Sequence, residues 1–160
     1  MPRTFVVAAF VLMSAVVLFV SPNALAQQSN AQAKSSGRDA KIAASVRAVL
    51  DAQAAAWNRG DIEGYMDGYA RSDDIVFISG DTLTRGWTVV LERYKKNYGS
   101  REKMGQLSFS DLEINAISKD AAVVQGRWQL VRASDNPHGR FTLIFRRTKE
   151  GWRIVHDHTS

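Results

Sequence analysis

The chain has 160 residues, 45% of them hydrophobic, 23% charged and 9% aromatic, with no cysteine and a formal net charge of +5. That length suits one packed domain, and that composition excludes collagen-like, disordered and multi-span membrane classes. Basic residues cluster only in short runs mixed with acids, Arg93-Lys95-Lys96 and Arg146-Arg147-Lys149, so they read as solvated faces and indicate no nucleic-acid partner.

The chain opens on Arg3 and an uncharged stretch from Phe5 to Val20, shorter than the roughly 20 residues a spanning helix needs. Ser21-Pro22 breaks it, and Ala24-Leu25-Ala26 places small residues where signal peptidase reads them. Residues 1–26 are therefore expected to be a signal peptide, giving a periplasmic or secreted protein with no membrane association after cleavage. Without cysteines, packing alone must hold the exported domain.

Residues 27–38 (QQSNAQAKSSGR) are polar and lack aromatics, the composition of a flexible linker. From Asp39, a candidate N-cap, Ile42, Val46, Val49, Leu50, Gln53 and Trp57 recur at helical spacing up to Asn58-Arg59-Gly60. Asp61 can cap a second helix with Ile62, Tyr65, Met66 and Tyr69 on one side, weakened by Gly64 and Gly68. Ile75 to Ser79, Gly80-Asp81 and Thr82 to Thr84 form a small hairpin. Gly86 opens a third helix carrying Trp87, Val90, Leu91, Tyr94 and Tyr98.

The period then changes to two. Leu107-Phe109 and Leu112-Ile114 alternate across a phase slip at Ser110-Asp111 that predicts a bulge; Val124 to Leu130, Phe141 to Phe145 and Trp152 to His158 alternate in turn. Short turns leave no room for crossover helices, so these strands predict an antiparallel meander. Helices followed by strands mean an α+β domain over residues 39–160, a curved, mostly antiparallel sheet with three N-terminal helices on one face.

Three strings in residues 40–160 resemble the nuclear transport factor 2-like superfamily, in its SnoaL-like branch: Ala56-Trp57-Asn58-Arg59-Gly60-Asp61, Gly86-Trp87, and Gly151 to Ser160. The closing strand is also similar to the association (hub) domain of calcium/calmodulin-dependent protein kinase, through Trp152, Val155, His156, His158 and Ser160, although Leu143 stands where the hub's pocket has an arginine. The resemblance implies a cone-shaped fold, a blind cavity between sheet and helices, and pairing of two subunits through the outer face of the sheet, hence a likeness to homodimers.

Strict alternation would turn His156 and His158 into that cavity beside Trp152 and Ile154, with Asp157 facing away. The pair admits three roles: metal ligands lacking an evident third member, a general base titrating near neutral pH, or hydrogen-bonding groups at a pocket or interface. No metal or cofactor is indicated. His138, in a Pro-His-Gly turn, reads as exposed, and Asp73-Asp74 as a turn or cap. Trp57, Tyr65, Tyr69, Phe77, Trp87, Tyr94 and Trp128 form an aromatic set that reads as core with polar tips toward a cavity. Arg127 and Arg132 fall on opposite faces of one strand, so one faces inward and needs a carboxylate such as Glu113 or Glu63, or an anionic ligand.

These residues support three readings. The first is an exported module binding a small, partly apolar organic molecule through Trp57, Tyr65, Tyr69, Trp87, Arg127, Trp128, His156 and His158. The second is an isomerase, dehydratase or cyclase using His156 or His158 as base, with Tyr65 or Tyr69 polarising a carbonyl. The third is an oligomerisation hub.

Overall fold

A computed structural model describes residues 22–160. The chain divides into two compact units after Ala33, and the second, Lys34–Ser160, carries the core and the site. The proposed signal-peptide core and its charge fall among residues outside those described. Among the described residues, no helix is long and apolar enough to cross a membrane.

Helix α1 runs Pro22–Asn58, so residues 27–38, read as a linker, are helical. Between Pro22 and Gly37 no glycine or proline interrupts a run rich in alanine and glutamine, which are strong helix formers. Asp39 is accordingly an interior residue: its carboxylate accepts from Ser35 Oγ at 3.3 Å and Arg38 Nε at 3.0 Å rather than capping a helix start. The low apolar content that suggested a linker shows instead in mostly exposed side chains from 32 to 38.

From Ile42 onward α1 buries the expected stripe, Ile42, Val46, Leu50, Gln53 and Trp57. The chain turns away from it at Gly60, whose φ of 89° is a left-handed conformation. Arg101 donates to the freed carbonyls of Trp57 and Asn58, both at 2.9 Å. Asn58 then clamps the start of the sheet, accepting from Leu107 N at 2.7 Å and donating to Leu107 O at 3.0 Å.

Helix α2, Ile62–Met66, is capped by Asp61, whose carboxylate accepts from Gly64 N at 2.7 Å. It stops before Tyr69, because the chain must straighten to bond Gly68 O and Ala70 N to Ile154. Gly68 permits this: a Cβ there would lie 2.3 Å from Gln53 Cδ.

Strands β1 (Val76–Ser79) and β2 (Thr82–Arg85) form the hairpin, and α3 (Trp87–Asn97) follows Gly86, whose φ is 88°. A short α4, Arg101–Met104, is too brief to leave a period in the sequence. Then come β3 (Gln106–Ser118), β4 (Ala121–Val131), β5 (His138–Thr148) and β6 (Gly151–Thr159), the antiparallel meander. The six-stranded order is β2-β1-β6-β5-β4-β3, and β1 joins β6 in parallel. The mostly antiparallel α+β architecture is as the sequence implies.

Three register shifts shape the sheet, one of them between Ala116 and Ser118 near the end of β3. Another, between Ser110 and Glu113 of β3, lies where the phase slip predicts it, with Asp111 at φ 51°. The shift that bears on the site was not foreseen. On β6, His156 pairs with Ile144 but Ile154 with Phe145, so Val155 is an extra residue without a partner in β5. A bulge bends the strand and reverses which side chains face the core beyond it.

Candidate functional site

The sheet's inner face and the helices enclose a cavity of about 170 Å³. Its walls are aromatic: Trp57 from α1, Tyr65 and Tyr69 from α2 and the segment after it, Phe77 from β1, Tyr94 and Tyr98 from α3 and its end, and Trp128 from β4. Trp57 meets Tyr65 and Tyr98 edge-on, with centroids 5.1 Å and 4.8 Å apart, a geometry aromatic pairs favour. Trp57 is locked by its indole N–H, which donates to Met104 O at 3.0 Å.

The β6 bulge decides the chemistry. Before it, Trp152 and Ile154 face the core; after it, Asp157 and Thr159 do, and both line the cavity. The expectation that His156 and His158 turn inward is therefore corrected. His156 stands half-buried on the outer face, level with Ile144 of β5 and Val76 of β1, and His158 is exposed beside Thr142 and Ile78. Unbroken alternation fails because one inserted residue shifts the phase of everything after it.

Asp157 is 5% exposed. Tyr69 Oη donates to its Oδ2 at 2.6 Å, while Oδ1 is buried and has no protein partner among the described residues. Burial pushes the carboxyl up to about 7, against the Tyr69 hydrogen bond, which acts in the opposite sense. Near neutral pH this group is thus both a proton donor and an acceptor. Burial also raises the Tyr65, Tyr69 and Tyr94 phenols, so all three stay protonated donors. Tyr65 and Tyr94 hydroxyls lie 3.5 Å apart, and buried Gln53 donates to Tyr65 O at 3.0 Å, which fixes the tyrosine cluster from below.

Other sequence-derived assignments divide. Trp57, Tyr65, Tyr69 and Trp128 line the cavity; Trp87 and Arg127 do not. Trp87 sits elsewhere because its indole donates to Met66 O at 3.0 Å and Arg71 stacks over its ring at 4.3 Å. Arg127 is on the outer face of β4, level with Arg140, and Arg132 lies past the end of β4, 3.5 Å from Asp135 and 5.8 Å over Tyr98. Neither uses the suggested carboxylates: Glu63 pairs with Lys95 at 2.9 Å, and Glu113 makes no ion pair among the described residues. Asp74 and Ser72 bond each other in an exposed turn, and His138 is exposed with Nδ1 3.0 Å from Asn136 O.

Sequence reasoning missed Asp157, and it missed Arg93 and Asn97, which approach the cavity from α3. The α3 pair was visible in principle, since positions 93 and 97 are one helical turn apart. Asp157 was hidden by the bulge.

An α+β cone with one aromatic cavity over a curved sheet defines the nuclear transport factor 2-like class. The sequence profile of the SnoaL-like domain matches residues 46–160, and the chain belongs to that family. Among solved structures it is similar to an NTF-2 like protein of unknown function from Shewanella oneidensis MR-1, with 41% identity and a TM-score of 0.70 over 72% of this chain and 96% of that one. An NTF2-like protein of unknown function from Pseudomonas putida KT2440 matches at 21% identity and TM-score 0.64, over 76% and 87% of the chains. A protein from Thiobacillus denitrificans ATCC 25259, named for the calcium/calmodulin-dependent protein kinase type II association domain, matches at 22% and 0.60, over 71% and 92%. No curated protein matches significantly.

Proposed function

We propose that this domain binds a small, partly apolar molecule, about the size of one six-membered ring, in the cavity, through a hydrogen bond to Asp157. The observation that carries the reading is the unspent Oδ1 of a buried carboxyl in an otherwise aromatic hollow. A buried polar atom without a partner costs about 1–3 kcal/mol, and a carbonyl or hydroxyl of a ligand would recover it. For scale, a cavity of roughly 150 Å³ takes benzene.

Titration with phenol and cyclohexanone, followed by ¹H–¹⁵N spectra, tests this. The Trp57 and Trp128 indole signals are expected to move, that of Trp87 to stay, and Asp157→Leu to weaken phenol binding at least tenfold. No shift, or an equal shift at Trp87, overturns the reading.

A second reading is favoured by the same carboxyl. A group titrating near 7 beside a phenol donor can pass a proton to and from carbon, so Asp157 with Tyr69 replaces the histidines in the isomerase or dehydratase scheme. Deuterium uptake from solvent into the carbons beside the cyclohexanone carbonyl, lost in Asp157→Asn, would establish it; uptake equal to buffer alone would end it.

Export by cleavage before Gln27 and a homodimer belong to the same proposal. The dimer is supported by Val123, Ile144 and His156, side by side on the outer face of β4, β5 and β6, with Ile144 37% exposed. N-terminal sequencing of the exported protein and light scattering test the two; an intact Met1 and a monomer refute them.

A further inference from the structure

The polar groups of the cavity are sorted by depth. At the buried end are Asp157 and Tyr69. At the less buried end are Arg93 and Asn97, one turn apart on α3, with Ser79 and Thr159, paired neighbours at the ends of β1 and β6. This outer group offers a guanidinium, a carboxamide and two hydroxyls, and no carboxylate.

Arg93 is the cavity's one lining cation among the described residues. Its guanidinium lies over the Phe77 ring, 5.3 Å from the centroid, and among the described residues it makes no hydrogen bond to protein and no ion pair. Phe77 is level with Asp157 across the β1–β6 pairing. The cation is thus held at the rim by a ring, with its donors unspent. A planar guanidinium in that state matches a carboxylate in bidentate fashion.

We infer that the ligand is a small cyclic carboxylate with a second polar group: its carboxylate sits on Arg93 at the rim, its ring lies among Phe77, Tyr94 and Trp57, and a hydroxyl or carbonyl at the far end meets Asp157. This rests on the cavity reading above and adds the charge and polarity of what fills it. It also explains a rim built of donors, since an anion has no use for a carboxylate there.

Calorimetric titration at pH 7.5 with 4-hydroxybenzoate and its neutral counterpart 4-hydroxybenzamide tests the inference. The acid is expected to bind at least tenfold more tightly than the amide. Arg93→Gln should bring the two within about threefold, by weakening the acid more than the amide, and Arg93→Lys, which keeps the charge but not the fork, should retain part of the preference. If Arg93→Gln fails to fold by circular dichroism, the parent's preference and the lysine variant decide. Equal binding of acid and amide by the parent, or a preference that survives Arg93→Gln, overturns the carboxylate while the cavity reading stands. Binding of neither probe, together with no response to phenol or cyclohexanone, overturns both.

Discussion

Replacing Asp157 with asparagine should change the way stability depends on pH, and the structure sets the size of the effect. Asparagine is nearly isosteric, and its amide oxygen can still accept from Tyr69 Oη. In the parent, the folded carboxyl titrates at about 7 and the unfolded one near 3.8. Below about pH 4 both states hold the proton and the full stability is present. Between about 4 and 7 the folded chain keeps a proton that the unfolded chain releases, so stability falls as pH rises. Above about 7 both are ionised and the loss is complete. At about 1.4 kcal/mol per pH unit over roughly three units, the loss is on the order of 4 kcal/mol. Urea melts read by tryptophan fluorescence at pH 4.5, 6 and 8 measure it. The other titrating groups are common to both proteins, so the difference between them isolates Asp157. Asparagine should gain on the parent by several kcal/mol from pH 4.5 to 8. A difference that changes by less than about 1 kcal/mol would refute the buried, uncompensated carboxyl. A residue that costs stability at neutral pH is one kept for a site rather than for packing.

Tyr69→Phe removes the hydrogen bond that favours the ionised carboxyl, so the pH at which stability is lost should move upward; an unchanged or lower midpoint in the same melts contradicts the Tyr69–Asp157 bond. Trp57→Ala should cost about 3–5 kcal/mol in urea, because it empties a buried volume and orphans Met104 O; a loss under about 1.5 kcal/mol would contradict the α1 register. His156→Ala and His158→Ala should leave phenol affinity within twofold, and a tenfold loss from either would put an imidazole back in the cavity.

The order of elements was legible because each has its own period. The 3.6-residue stripe of Ile42, Val46, Leu50 and Trp57, the Gly60-Asp61 junction and the four alternating strands are local patterns that burial on one face enforces. The bulge at Ser110-Asp111 was legible for the same reason, since the alternation breaks within a strand. Helix α1 began earlier than its apolar stripe, because helix-forming residues without breakers can stay helical without burying anything.

The site was less legible. Trp57, Tyr65, Tyr69 and Trp128 came from the aromatic set, but aromatic identity alone did not separate Trp128 from Trp87, whose indole is spent on Met66 O in a different place. The two histidines and Asp157 exchanged faces at Val155, and nothing local marks that residue: Trp-x-Ile-x-His-x-His reads as unbroken alternation. At that bulge β6 pairs with β5 on one edge, and on the other with Gly68 and Ala70 at Ile154 and then with the short parallel β1. Periodicity along the chain therefore determined what the elements are and which stripe each buries. Partners distant in sequence decided the phase of the last strand, and with it which titratable group stands in the cavity, because a strand's facing depends on every neighbour it must bond.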